Sequence, residues 1–167
     1  FVETGDNVLI GGIITSKGSD NKDVVLFPEK INGKYLFLHR PTGWVGQKFG
    51  VDKPSIWLGE GSSLTSFEKH TILLKPKYDW EDSKIGSGPP PILTRKGWLL
   101  IYHGVDKNLI YRAGAALLDL SNPSVVIGRT EMPILEPEEQ FEKIGHVKNV
   151  VFLSLIHISE PTRPLYI

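Results

Sequence analysis

Lys30, Arg40, Lys84 and His103 are four cationic or titratable residues, each at the edge of a strand-like run. The stretches that carry them are FPEKINGKYLFLHRP (27–41) and KIGSGPPPILTRKGWLLIYHGV (84–105). Both alternate apolar and polar residues, turn at a glycine (Gly33, Gly97) and reach a histidine just after an apolar run. Arg, Lys and His groups converging at strand ends are what a bound oxyanion requires. Arg40 precedes Pro41, where a strand leaves its sheet, and its guanidinium can fork onto a phosphate or carboxylate. A surface ion pair with Glu29 is the plainer alternative. Lys84 opens KIGSGPPPI, whose glycines let the backbone approach a ligand and whose prolines fix an extended path without N–H donors. Here the alternative is an edge-protecting proline run beside a solvated lysine. His103 can donate to an oxyanion, and a bound dianion favours its charged form; His39 holds the matching place in the other hairpin. Lys22 and Lys30 flank VVLFPE and can add charge. Charge-assisted hydrogen bonds contribute about 1.5–3 kcal/mol each, so three or four convergent cations suffice to hold a phosphate.

The elements that must position these residues read as short strands. Runs rich in Val, Ile, Leu, Tyr and Trp occur at 8–15, 24–30, 34–39, 55–59, 72–74, 91–94, 98–103, 114–120 and 125–127. No segment holds a helical period over about 10–12 residues; the best helical candidate, 136–143, is short. The runs repeat, with Gly33 and Gly97, and likewise His39 and His103, 64 residues apart. About four strands per repeat of roughly 60 residues is the pattern of β-propeller blades. The expected fold class is therefore all-β, with about two complete blades and parts of their neighbours. Two blades cannot close a ring, so the chain is expected to be part of a larger protein.

Composition excludes several functions. In 167 residues, Lys+Arg and Asp+Glu balance at 19 each. That argues against nucleic acid or an anionic membrane as partner, and any anion site must be local. There is no cysteine, hence no disulfide and no thiolate metal site. His39, His70, His103 and His146 show no metal-ligand spacing. GSGPPP is neither a P-loop nor a dinucleotide fingerprint, because no helix follows it. Trp44, Trp57, Trp80 and Trp98 could stack on sugars, though Trp57 and Trp98 read more simply as buried strand aromatics.

Taken together, DVVLFPEKINGKYLFLHRP, SIWLGEGSSL, WEDSKIGSGPPPILTRKGWLLIYHGV, AGAALLDLSNPSVVIGRT and PILEPEEQFEKIGHVKNVVF resemble glycoside hydrolase family 130, the mannoside phosphorylases and related mannosidases. The resemblance covers most of 23–152, and its KIG-x-GPPPI…YHGV segment is the most specific part. It implies a five-bladed β-propeller with the active site in a central funnel. It also implies phosphate-binding roles for Arg40, Lys84 and His103, with Lys22 where many members carry another basic residue, often Arg. Tyr111 matches a sugar-contacting tyrosine. The implied reaction is inverting phosphorolysis of a β-mannoside to α-mannose 1-phosphate, with inorganic phosphate as co-substrate and no cofactor. A hydrolytic mannosidase and a non-catalytic sugar-binding propeller are the alternatives. A cytoplasmic location is expected because phosphorolysis conserves bond energy as a sugar phosphate; a homo-oligomer is allowed.

The chain departs from the family pattern in one respect. The general acid of the resemblance is an Asp in a Glu-Asp-Pro-Arg motif, and here Glu81-Asp82 is followed by Ser83. The acid is expected upstream, neither Glu29 nor Asp119 is promoted to its role, and the segment alone is expected not to turn over. The chain starts at Phe1 without an initiator Met, and LSLIHISEPTR (153–163) reads like a translated sequencing adapter. Residues 1–152 are thus expected to be a partial propeller catalytic domain and 153–167 a non-native tail, leaving His157 and Glu160 without functional weight.

Overall fold

The structure is a computed structural model that describes residues 20–144 and 147–153, with the backbone of two short paired strands, β1 (Val2–Thr4) and β2 (Asn7–Leu9). The rest of the expected strand at 8–15, His146, and all but the first residue of the expected tail lie outside the described residues.

Two antiparallel sheets dominate. The first runs β3 (Asn21–Leu26), β4 (Tyr35–Pro41), β5 (Ile56–Ser63) and β6 (Ser66–Leu74) in simple chain order. Its first hairpin follows directly from Asn32-Gly33. Both residues take positive φ (52° and 76°), and Ile31 and Lys34 exchange backbone hydrogen bonds across them. This is the two-residue turn whose twist matches paired strands, and Asn-Gly is its preferred sequence.

The second sheet contains β7 (Lys84–Ser87), β8 (Ile92–Thr94), β9 (Gly97–Val105), β10 (Tyr111–Leu118) and β11 (Val126–Arg129). Its order is β11-β10-β9-β7, and β8 also pairs with β9. Both β7 and β8 lie along one edge of β9, the first against residues 102–105 and the second against 97–99. Pro89, Pro90 and Pro91 fall between them. Proline offers no N–H to a ladder, so one strand position is split in two and the sheet keeps a four-position meander like the first. The KIGS stretch is thus a strand rather than the loop its glycines suggest. The helical candidate at 136–143 reduces to one turn, α1 (Gln140–Lys143).

One continuous core joins the sheets. Leu36, Leu38, Ile56, Leu58 and Leu74 of the first cluster with Ile85, Trp98, Leu100, Tyr102, Ala116 and Leu118 of the second. Phe27 meets Trp98 edge-to-face at 5.3 Å between centroids. Trp57 and Trp98 are buried, as their place in strands predicts. The first sheet carries a second aromatic group of Phe37, His39, Trp44, Trp57 and His70. Fully buried His39 meets Asn21 through Nδ1 at 2.8 Å and His70 through Nε2 at 3.1 Å. Burial, and then His70, lower its pKa to about 3, so this histidine is neutral.

Candidate anion site

Four sequence-predicted residues are brought together where the two sheets adjoin. Arg40 comes from the end of β4, Lys84 from the start of β7, His103 from β9 and Tyr111 from the start of β10. His103 and Tyr111 stack at 5.9 Å between centroids. The Lys84 ammonium lies 5.4 Å from the centroid of the Tyr111 ring, within cation–π range. Phe152 packs on the His103 ring at 5.0 Å, held by backbone hydrogen bonds that seat residues 149–151 alongside Tyr111.

The hub of the cluster is Asp23, which sequence reasoning missed. Its Oδ2 lies 2.9 Å from Arg40 Nη2 and 3.5 Å from His103 Nε2. It reaches them because the β3–β4 register breaks between Lys22 and Val25, where Asp23 takes φ 55°. Ser87 Oγ donates to the Asp23 carbonyl and ties this bulge to β7. Gly86 faces the carboxylate, and a Cβ there would fall 2.0 Å from Asp23 Oδ2 and 2.6 Å from His103 Cε1. The one hint in the sequence is an acidic residue wedged between Lys22 and the apolar run it precedes.

Arg40 therefore meets Asp23, not Glu29, and it is buried, not on the surface. Even so, its Nε and Nη1 and the Nδ1 of His103 are buried without a hydrogen-bond partner among the described residues, and Asp23 Oδ2 has no well-aligned donor. Such groups are costly to leave unpaired, and a cluster of them marks a place built to receive a polar ligand. Burial, reinforced by the Arg40 and Lys84 charges, lowers the His103 pKa to about 3, so His103 is a neutral imidazole. Lys22 pairs across the ladder with Arg40. Its side chain is 56% exposed, 3.7 Å from Asp20, so it contributes field and no enclosed contact. Lys30 lies elsewhere, at the turn end of the β3–β4 hairpin, with its ammonium 4.3 Å over the Tyr35 ring. A hairpin cannot bring residues at its two ends together.

Gly86 provides a direct test of this packing. Gly86→Ala is expected to displace Asp23 or His103, because the clash is with a short, half-buried carboxylate and a buried imidazole that have little room to move. Phosphate affinity of the full-length protein should fall at least tenfold by calorimetric titration. An unchanged affinity would mean that Asp23 and His103 do not shape the site.

The comparisons with known proteins point one way. Residues 13–165 match the family described as beta-1,4-mannooligosaccharide phosphorylase. A 1,2-beta-oligomannan phosphorylase of Thermoanaerobacter sp. (strain X514) is 50% identical over 133 residues, covering 79% of this chain and 41% of the relative. A beta-1,4-mannooligosaccharide phosphorylase of Ruminococcus albus is 36% identical, covering 79% of this chain and 39% of the relative. The structure of a beta-1,2-mannobiose phosphorylase from Listeria innocua, in complex with beta-1,2-mannobiose, superposes with a TM-score of 0.74 at 44% identity. That match covers 84% of this chain and 38% of the solved one. The chain thus spans about two-fifths of the length of the relatives it matches.

Proposed function

The chain belongs to glycoside hydrolase family 130, and from that premise we propose that the protein carrying it is an inverting phosphorylase of β-mannosides. Inorganic phosphate attacks the anomeric carbon as the glycosidic C–O bond breaks, giving α-mannose 1-phosphate and a shorter sugar. Arg40, Lys84 and His103 bind the phosphate, Lys22 adds to the attracting field, and Tyr111 offers its ring to the sugar. The observation that carries this reading is the set of buried nitrogens without a hydrogen-bond partner among the described residues, Nε and Nη1 of Arg40 and Nδ1 of His103.

The geometry supports these roles. An anionic nucleophile needs positioning and charge compensation but no general base, which cations fixed in a partly buried cluster supply. Neutral His103 carries a single ring N–H, and the arriving dianion raises its pKa again, so that the protonated ring can donate from both nitrogens. The leaving oxygen departs from the opposite face of the sugar, where one carboxylic acid must protonate it. Asp23 lies among the phosphate-binding cations, on the side of attack, so it is not that acid. Asp119 is engaged in the turn at Ser121 and Asn122.

Two finer points belong to the same proposal. The two four-position sheets support a propeller that the rest of the protein completes to five blades. The 50% and 44% identical relatives carry β-1,2 names and the 36% identical one a β-1,4 name, which favours a β-1,2-mannoside as substrate.

The deciding assay incubates the full-length protein with β-1,2-mannobiose, with and without inorganic phosphate. Mannose 1-phosphate should form in stoichiometric amount with the released mannose, and omitting phosphate should abolish turnover. Equal release of mannose without phosphate would make the protein a hydrolase, and binding without turnover would make it a lectin-like propeller.

A further inference from the structure

An acidic residue in the middle of an anion site needs a reason. Asp23 Oδ2 sits 2.9 Å from Arg40 Nη2 and 3.5 Å from His103 Nε2, with Lys84 and Lys22 acting on it from β7 and β3. Its backbone takes the left-handed region at φ 55°, which is uncommon outside glycine and which Asp tolerates better than most residues. The fold also fixes it from outside, through the Ser87 hydroxyl on its carbonyl and the missing side chain at Gly86.

We propose that Asp23 makes this site selective for oxyanions that carry a proton, phosphate or arsenate, over sulfate, by accepting the hydrogen bond of that proton. The inference rests on the phosphate-binding reading given above. A carboxylate only accepts hydrogen bonds. Against a fully ionised sulfate it presents lone pair to lone pair inside a partly buried site, and repels. Against phosphate, which keeps at least one P–O–H at neutral pH, the same oxygen is an acceptor for that proton. The three cations Arg40, Lys84 and Lys22 then draw in either anion, and Asp23 decides between them. Burial raises the Asp23 pKa, with Arg40, Lys84 and Lys22 opposing the rise. Sulfate binding is therefore favoured when Asp23 takes up a proton.

The test is calorimetric titration of the full-length protein with inorganic phosphate and with sodium sulfate, at matched ionic strength and pH 7.5. Wild type, Asp23→Asn and Arg40→Ala are compared. A hydrogen bond to a charged group corresponds to roughly ten- to a hundredfold in affinity, so wild type should prefer phosphate by at least about tenfold. Asn keeps the shape and offers an N–H, so sulfate binding should strengthen in Asp23→Asn until the preference falls to about twofold or less. If phosphate binds and needs Arg40, yet the preference survives in Asp23→Asn, Asp23 is not the selector and the phosphate-binding reading stands. If phosphate does not bind wild type, or Arg40→Ala leaves it unchanged, that reading falls and this one with it. A wild-type pH series needs no folded variant. Sulfate affinity should drop about tenfold per pH unit once Asp23 ionises, while phosphate affinity falls less steeply. Parallel slopes would overturn the inference.

Discussion

Arg40→Ala should reduce kcat/KM for phosphate about 10²–10³-fold in the full-length protein, the largest effect expected of any substitution in the anion site. Three losses coincide. The anion loses a guanidinium whose Nε and Nη1 have no other partner among the described residues. Asp23 loses the countercharge 2.9 Å from its Oδ2, and an unpaired buried carboxylate responds by rising further in pKa. A small side chain also leaves a gap in a position only 5% exposed. Arg40→Lys separates charge from geometry. It restores a positive group but not the planar fork, and should recover only part of the loss, about tenfold below wild type. Saturation kinetics in phosphate at fixed mannobiose decide the matter. If Arg40→Ala retains activity within a few-fold of wild type, Arg40 is a structural partner of Asp23 and the nucleophile binds elsewhere.

Arg40, Lys84 and His103 could be grouped from the sequence because each ends a recognisable strand or opens a glycine-proline run, and because the two hairpins repeat at a spacing of 64. Strand periodicity and the Asn32-Gly33 turn are local signals, and the fold obeys them. Asp23 was not legible. Its role needs a broken register, a left-handed backbone and a neighbouring sheet that presents Gly86, and none of these leaves a pattern in a six-residue strand. Lys30 erred in the opposite direction. It shares a motif with Arg40 but lies at the far end of the same hairpin, where Tyr35 takes up its charge. The KIGS strand was hidden because glycine and serine carry little strand propensity. Pairing with residues 102–105 of β9 overrides that local weakness.

Glu81 shows the same limit from the side of stability, and its replacement should be the most destabilising change in the described residues. It is fully buried in the short turn of 3-10 helix at Asp79–Glu81, between the two sheets in sequence. One carboxylate oxygen accepts from Tyr102 Oη at 2.6 Å and from Arg129 Nη2 at 2.7 Å, and the other from the backbone N–H groups of Lys77 and Tyr78. Arg129 also donates to Tyr102 Oη and to the Lys75 carbonyl. A single carboxylate thus ties the linker after β6 to β9 and β11. Glu81→Ala strips partners from a 10% exposed guanidinium, a buried phenol and two backbone donors. Breaking a buried pair in this way costs about 3–5 kcal/mol. Glu81→Gln keeps an acceptor but not the charge, and should cost about 1.5–3 kcal/mol. The discriminating variant removes both charges. Glu81→Leu combined with Arg129→Met should recover part of the Glu81→Ala loss, because no charge is then buried alone. Urea denaturation midpoints of the full-length variants give this order directly. If Glu81→Ala and the double variant unfold together, the network is packing around a carboxylate and not an ion pair that the fold depends on.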